Sequence, residues 1–125
     1  SKRLDSVVAV VDFNHCSASF VCGENLKWEN KTMADAWRAF GWNAIEIDGT
    51  KMQELDKTFG SLPPVDLKNP GKPTVIIAYS TKGQGVDYMQ AAPQAWHIGG
   101  LDDKKLEETY IAIDRYTDER LKEVQ

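Results

Sequence analysis

Polar side chains that could bind a cation follow directly on the first apolar segment of the chain. Residues 7–11 read Val-Val-Ala-Val-Val, and Asp12-Phe13-Asn14 comes next. Carboxylate and amide oxygens are the ligands that a hard cation such as Mg²⁺ prefers. Asp and Asn are also favoured in turns, where their side chains bond to nearby backbone. The residues alone therefore indicate either a cation site or an ordinary turn at a strand end.

A glycine-bearing turn and two histidines are the other candidates for chemistry. The segment 81–85, Thr-Lys-Gly-Gln-Gly, could cradle a phosphate through exposed backbone N–H groups and the charge of Lys82. Its spacing is neither that of a Walker loop nor that of a dinucleotide fingerprint, and a simple glycine turn is the alternative. His97 could act as an acid, a base or a phosphate donor. An ordinary surface position is the alternative for His97, and also for His15.

Composition and charge exclude several function classes. The 125 residues are 42% apolar and 27% charged, and the formal net charge is −4. A mildly acidic chain argues against nucleic-acid binding, which normally needs a basic surface. No segment approaches the roughly 20 apolar residues that cross a bilayer, and no signal-peptide pattern is present. We expect one domain in the cytoplasm, with neither nucleic acid nor membrane as partner.

The cysteines and histidines do not form a recognisable catalytic or metal motif. Cys16 and Cys22 could form a disulfide, but two cysteines make no framework, and we expect reduced thiols in a cytosolic protein. The two distant histidines lack the close pairing of a structural zinc site. Neither a GxSxG nor an HExxH motif occurs.

Apolar segments and helical patterns alternate along the chain. We predict strands at 7–11, 42–47 and 74–79, helices at 32–40, 52–59 and from 102 onwards, and loops at 15–31 and 60–73. Such alternation predicts an α/β fold with a mainly parallel sheet and flanking helices. Ligands bind such sheets beyond the carboxyl ends of the strands. We therefore expect residues 12–14, 48–49 and 81–83 to gather there.

Apolar spacing also predicts which side chains are buried. The first strand should be covered on both faces, and Trp37, Phe40 and Trp42 should lie in the core. The final helix should pack through one stripe and expose its charges. The stripe comprises Leu106, Tyr110, Ile113, Thr117, Leu121 and Val124; the charges include Lys104, Lys105, Glu107 and Glu108. Three strands are few, so we expect residues beyond this chain to complete the sheet.

Four segments, taken in order, resemble the first domain of the transketolases, which binds the diphosphate of thiamine diphosphate. They are residues 4–14, 37–49, 72–86 and 96–97. The resemblance runs from about residue 4 to about residue 99. It implies that residues 1–125 form one partial thiamine-diphosphate-binding domain. In the family a GDG segment precedes this region, and we expect it to lie upstream of this chain.

The resemblance implies roles for four residues. In the family, the GDG segment and a later asparagine bind Mg²⁺, or Ca²⁺, together with the cofactor diphosphate. Asn14 would ligate the metal through its side-chain oxygen, and Cys16 through its main-chain carbonyl. Lys82 would lie near the diphosphate, and His97 would be the catalytic histidine near cofactor and reaction centre. Ile98 separates His97 from Gly99, where the family has glycine directly.

The activity that the resemblance implies is that of a transferase of the pentose phosphate pathway. A two-carbon ketol unit would pass between sugar phosphates on a cofactor that the protein orients. Family active sites form where domains of two subunits of a homodimer meet. We therefore expect this chain to need the rest of a transketolase chain or a complementary subunit, and to be inactive alone.

Two other functions fit the same residues. One is a non-catalytic interaction module that keeps the thiamine-diphosphate-binding fold. The other is the equivalent domain of deoxyxylulose-phosphate synthase or of a pyruvate dehydrogenase component. The segments 48–49 and 81–83 favour the transketolase branch over this second alternative.

Overall fold

The chain is described here by a computed structural model that covers residues 4–17, 20–21 and 32–123. These residues fall into two compact units, described separately. The first comprises residues 4–14 and 32–80, and the second comprises residues 15–17, 20–21 and 81–123. Within the described ranges, no helix has the length and apolar character that spanning a membrane requires.

Strands and helices alternate along most of the chain. In order they are β1 Val8–Phe13, β2 Cys16–Ser17, β3 Phe20–Val21, α1 Met33–Ala39, β4 Asn43–Asp48, α2 Met52–Gly60, β5 Thr74–Tyr79, α3 Asp87–Ala91 and α4 Asp103–Glu123. In the first unit, β1, β5 and β4 form a parallel sheet in that order. The predicted α/β fold, a mainly parallel sheet with flanking helices, is confirmed.

The central strand β5 provides the core of the first unit. Its sequence, Thr-Val-Ile-Ile-Ala-Tyr, is rich in β-branched residues, and its first five residues are buried. Ile76 and Ile77 are both fully buried, and they belong to hydrophobic clusters on opposite faces of the sheet. Trp37 and Trp42 pack against the Ile77 cluster, with their rings edge to face and 4.9 Å apart. Their predicted place in the core is confirmed.

Strand β1 differs from its prediction in length and in burial. It continues through Asp12 and Phe13, so these residues end the strand rather than follow it. Side chains alternate between exposed and half-buried along β1, and Val8 and Val10 are 40% and 55% exposed. The prediction of two covered faces is wrong for the described residues, where β1 pairs with β5 alone. A strand with one partner and one covered face shows this period of two.

Helix α1 spans Met33–Ala39 and so agrees with the predicted helix at 32–40 to within one residue at each end. The Thr32 side chain accepts from the backbone N–H of Asp35, and the Asp35 carboxylate accepts from the backbone N–H of Thr32, a reciprocal capping box. Gly41 follows the helix with a φ of +86°, which suits glycine. The prediction that Phe40 is a core residue is wrong, since its side chain is 83% exposed. The helix ends at Ala39, so Phe40 leaves the stripe that faces the sheet.

Helix α4 of the second unit packs through a different face from the predicted one. Its buried residue is Thr109, whose hydroxyl lies 2.5 Å from the Tyr88 hydroxyl of α3. The side chain of Lys105 lies over the Tyr88 ring and forms an ion pair with Glu108 at 2.6 Å. Lys105 and Glu108 are half-buried, so their predicted exposure is wrong. Polar contacts with α3 thus determine which face of α4 is buried, and this face is not the most apolar one.

The predicted apolar stripe of α4 is exposed instead. Four residues of the stripe are between 39% and 61% exposed, namely Leu106, Tyr110, Ile113 and Leu121. Val124 lies outside the described residues, as does Cys22 of the possible disulfide. The segment predicted as a loop at 15–31 contains the short antiparallel pair of β2 and β3. The loop at 60–73 is confirmed apart from Gly60, which ends α2.

A hydrogen bond across the sheet predicts how alkali acts on the first unit. The Tyr79 hydroxyl donates to Glu46 Oε1 at 2.7 Å, and burial, together with this bond, raises the pKa of Tyr79 to about 12. Because the folded pKa lies above that of free tyrosine, this stabilisation is complete below about pH 10 and is lost as the pH rises towards 12. We expect Tyr79→Phe to flatten the loss of stability in urea unfolding between these pH values. An equally steep loss in the variant would contradict this assignment.

Candidate functional site

The three parallel strands end level with one another. In the sheet register, Phe13 and Asp48 both lie opposite Tyr79. Backbone bonds extend the ladder past the strand ends: Gly49 N–H donates to the Tyr79 carbonyl at 2.8 Å, and Ser80 N–H donates to the Phe13 carbonyl at 3.1 Å. Residues 12–14 and 48–49 therefore gather at the carboxyl edge of the sheet, as predicted. This is the edge at which open α/β sheets bind ligands.

Asp12 is the centre of a polar cluster at this edge. Its Oδ2 accepts from the Asn14 side-chain amide at 3.1 Å, and its Oδ1 accepts from the Ser80 hydroxyl at 2.5 Å. Asp12 is exposed, whereas Asn14 and Ser80 are half-buried. Ser80 was not among the residues predicted from the sequence. Ser80 is the first residue after β5, just as Asn14 is the first residue after β1. This shared position could have indicated Ser80 from the sequence.

Asp48, at the end of β4, stabilises the turn that follows this strand. The Thr50 hydroxyl donates to Asp48 Oδ1 at 2.6 Å, and this bond holds the pKa of Asp48 below its usual value. Lys51 lies 3.6 Å from the other carboxylate oxygen. A Cβ added at Gly49 would lie 2.8 Å from the Ala78 Cβ, so the chain passes β5 too closely for any other residue. Asp48 and Gly49 therefore shape the carboxyl edge of the sheet, Asp48 through local bonds and Gly49 through close packing.

The chain turns sharply after Asn14. His15 is exposed and has a φ of +60°, a left-handed conformation in which histidine is more common than most non-glycine residues. Cys16, which begins β2, is half-buried. In the described part of the chain, no group of three or more His, Cys, Asp and Glu side chains could hold a metal ion. The ligand roles of Asn14 and Cys16 thus stay predictions.

In the second unit the structure brings Lys82 and His97 together. The Lys82 ammonium lies 2.9 Å from His97 Nδ1. A charged ammonium can only donate, so Nδ1 must accept, and a neutral imidazole then carries its proton on Nε2. His97 is exposed and Lys82 half-buried. The pair therefore offers a cation and an N–H donor side by side, a combination suited to an anionic group.

The turn that carries Lys82 is held by packing against its own unit. Gly83 and Gly85 have φ values of +78° and +90°, in the region that favours glycine. The Gln84 amide donates to the Tyr116 hydroxyl at 2.6 Å, and the Gly85 N–H donates to the Gln90 side chain at 3.2 Å. Contacts with α3 and α4 thus fix the path of the turn.

The loop that carries His97 is anchored by an aromatic contact. The rings of Trp96 and Tyr88 pack edge to face, 4.9 Å apart. Tyr88 in turn bonds to Thr109 of α4. Gly99 passes close to Trp96, since a Cβ there would lie 3.0 Å from the indole ring. The neighbours of His97 are therefore held in place, although its own side chain is exposed.

Replacing Gly83 by alanine should destabilise the turn more than its backbone conformation alone requires. A Cβ at Gly83 would lie 2.8 Å from the Met89 Cβ, whereas one at Gly41, also at positive φ, would meet no atom within 4 Å. We expect Gly83→Ala to lower the free energy of unfolding by about 2–3 kcal/mol, against about 1–2 kcal/mol for Gly41→Ala. Urea unfolding of both variants measures the difference. Equal losses would show that the Met89 contact is unimportant.

Comparison with known proteins identifies the family. One of the subunits of the apulose-4-phosphate transketolase of Phocaeicola vulgatus is 38% identical over 97 residues, which cover 78% of this chain and 32% of that protein. The transketolase of Rattus norvegicus is 35% identical over 95 residues, or 76% of this chain and 14% of that enzyme. The chain belongs to the transketolase family. The resemblance seen in the sequence is confirmed.

A further relative shows the same partial coverage. The 6-deoxy-6-sulfo-D-fructose transketolase subunit of Clostridium sp. (strain MSTE9) is 29% identical over 89 residues, which cover 71% of this chain and 30% of that subunit. This transketolase-family chain spans about a third or less of the length of these curated relatives. No protein-family model matches it.

Proposed function

We propose that this chain contributes part of the Mg²⁺ and thiamine-diphosphate site of a transketolase, which transfers a two-carbon ketol unit between sugar phosphates. The rest of the enzyme would come from further residues of the same polypeptide or from a complementary subunit, within a homodimer. Two relatives named as transketolase subunits support the subunit form. The observation that carries the proposal is 38% identity to a transketolase subunit over 97 residues, or 78% of this chain.

The oxygen donors of the first candidate segment fit a hard cation. We propose that Asn14 binds the ion through its side-chain oxygen, and that Cys16, two residues later, binds it through its main-chain carbonyl. Mg²⁺ prefers such oxygens and usually takes few of them from protein, the others coming from phosphate and water. The Asn14 amide fits this role, because its NH₂ group donates to the Asp12 carboxylate and its carbonyl oxygen is the atom that could bind a cation. The thiol of Cys16 has no part in this proposal.

The donor pair of the second unit fits the anionic part of a cofactor. We propose that Lys82 neutralises charge on the diphosphate and that His97 donates from Nε2 towards cofactor and substrate. The bond from Lys82 to Nδ1 supports this assignment, because it keeps the His97 proton on Nε2. When bound, thiamine diphosphate would supply the carbon–carbon bond chemistry, and this chain would bind and orient it.

The test is ketol transfer by the native protein. An affinity tag on this chain, introduced in its source cell, would recover the chain with any partner. The purified material should convert a ketose phosphate and an aldose phosphate only when both thiamine diphosphate and Mg²⁺ are present. The isolated 125-residue chain should not turn over these substrates.

Two outcomes would contradict the proposal. One is native protein that lacks ketol transfer across a panel of ketose phosphates although the cofactor and metal are supplied. The other is transfer that persists after thiamine diphosphate is removed by acid precipitation and dialysis. Turnover by the isolated chain would overturn the requirement for further residues, and would leave the assignment of the reaction intact.

A further inference from the structure

We propose that Asp12 is a positioning residue: braced by Ser80, it fixes the Asn14 amide so that the carbonyl oxygen faces the cation. This inference rests on the proposed function, and it concerns a residue whose type also suits a direct ligand of the cation. The geometry points instead to a carboxylate whose two oxygens are both engaged. Its Oδ2 accepts from Asn14 and its Oδ1 accepts from Ser80.

The chemistry of the two groups determines which way the amide faces. An ionised carboxylate has no proton to donate, so only the NH₂ side of an amide can face it at hydrogen-bond distance. The Asn14 nitrogen lies 3.1 Å from Asp12 Oδ2, so the NH₂ side of the amide faces the carboxylate. The reversed amide would place two oxygens against each other. The Asp12 carboxylate therefore selects one of two orientations that have nearly the same shape.

Ser80 holds the carboxylate in place. Its hydroxyl donates to Asp12 Oδ1, and its backbone N–H donates to the Phe13 carbonyl at 3.1 Å. The second bond extends the ladder between β1 and β5 by one residue, so the position of Ser80 is set by the sheet. A hydroxyl on a rigid backbone thus orients the carboxylate, and the carboxylate orients the amide. All three side chains lie at the carboxyl edge of two adjacent strands.

Such partners of a metal ligand have measurable effects. Loss of a group that orients a ligand typically weakens metal binding about 10- to 100-fold. We expect Asp12→Ala to weaken Mg²⁺-dependent binding of thiamine diphosphate by the native protein within this range. Asp12→Asn keeps one acceptor oxygen for the Asn14 amide and should retain part of the lost affinity. Because Asp12 is exposed, neither variant should shift the thermal unfolding midpoint appreciably.

The direct readout is the side-chain amide of Asn14 in nuclear magnetic resonance spectra of the full 125-residue chain. In the absence of metal, its NH₂ protons should exchange with water more slowly than those of Asn43, which lies at the amino end of β4. Asn43 is a matched control because its side-chain amide donates a longer bond, 3.5 Å to Thr74 Oγ1, to a neutral hydroxyl. Asp12→Ala should bring the Asn14 exchange rate to that of Asn43, and Ser80→Ala should move it part of the way.

The possible outcomes separate this inference from the proposed function. Slow exchange that Asp12→Ala abolishes, with weaker cofactor binding in that variant, supports the positioning role. Exchange of the Asn14 amide that is as fast as that of Asn43 would overturn it. Unchanged cofactor affinity in Asp12→Ala, where Asn14→Leu loses affinity, would overturn the positioning role and leave the proposed function standing. Native protein that binds no metal and cofactor would overturn both.

Discussion

Replacing Asn14 by leucine is expected to reduce Mg²⁺-dependent thiamine diphosphate binding by the native protein at least about 100-fold. Loss of a group that only orients a metal ligand weakens binding by up to about 100-fold. Asn14 is proposed to bind the metal itself, so its loss should cost at least as much. Leucine has nearly the same size and shape as asparagine but cannot offer an oxygen to a cation. The ketol-transfer rate at fixed cofactor concentration should fall in parallel. Calorimetric titration of the cofactor, with Mg²⁺ held constant, measures the affinity.

The matched control is Asn43→Leu. Asn43 begins β4 and lies at the amino edge of the same sheet, opposite to the candidate edge. The same substitution there should leave cofactor affinity unchanged. If Asn14→Leu bound the cofactor as tightly as wild type, the assignment of Asn14 as a metal ligand would be wrong. A loss of affinity in both variants would point to a general effect on the sheet.

Truncating Ile77 to alanine is expected to lower the free energy of unfolding by about 3–5 kcal/mol. Its side chain is fully buried in the central strand, in one cluster with Ala34 and Val75. Removing it would leave a cavity that β1 and α1 cannot fill without losing their own contacts. Urea unfolding monitored by far-UV circular dichroism measures the loss.

Val10→Ala provides the comparison for Ile77→Ala. Val10 lies on β1 and is 55% exposed, so its truncation should cost less than about 1 kcal/mol. Should Val10→Ala destabilise the chain as much as Ile77→Ala, the outer face of β1 would have to be covered in solution. That result would contradict the assignment of β5 as the centre of the core.

Local signals in the sequence were sufficient for most of the fold of the first unit. The segment 74–79 is bounded by Pro73 and by a polar residue, and its prediction matches β5 to the residue. Thr32 and Gly41 mark the two ends of α1, because capping depends on residues at the helix ends. The alternation of elements then predicted parallel strands, and the register confirms them.

Burial was harder to predict, because it depends on which face another element covers. The residues 7–11 are all apolar, so no alternation in the sequence could reveal that Val8 and Val10 are exposed. In α4, the apolar stripe predicted the wrong buried face. The Tyr88 hydroxyl and ring instead select the face of Thr109 and Lys105 through polar and cation–π contacts. Such tertiary contacts leave no periodic pattern.

The candidate site was predictable as a set of strand ends but not as a set of contacts. The position of Asn14 after an apolar segment indicated a polar edge, and the register of the strands bears this out. The bond between Ser80 and Asp12 joins residues 68 positions apart, so finding it required the pairing of β1 with β5. The contact between Lys82 and His97 likewise depends on the path of the chain through α3.

The proposed function requires this transketolase-family chain to take part in a metal-dependent thiamine-diphosphate site. Calorimetric titration of thiamine diphosphate into the native protein, with and without Mg²⁺, measures whether it does. We predict saturable binding of one cofactor per copy of this chain when Mg²⁺ is present, and at least about 10-fold weaker binding after the metal is removed by chelation. Binding that is absent under both conditions, or equally tight without the metal, would show that the proposed function is wrong.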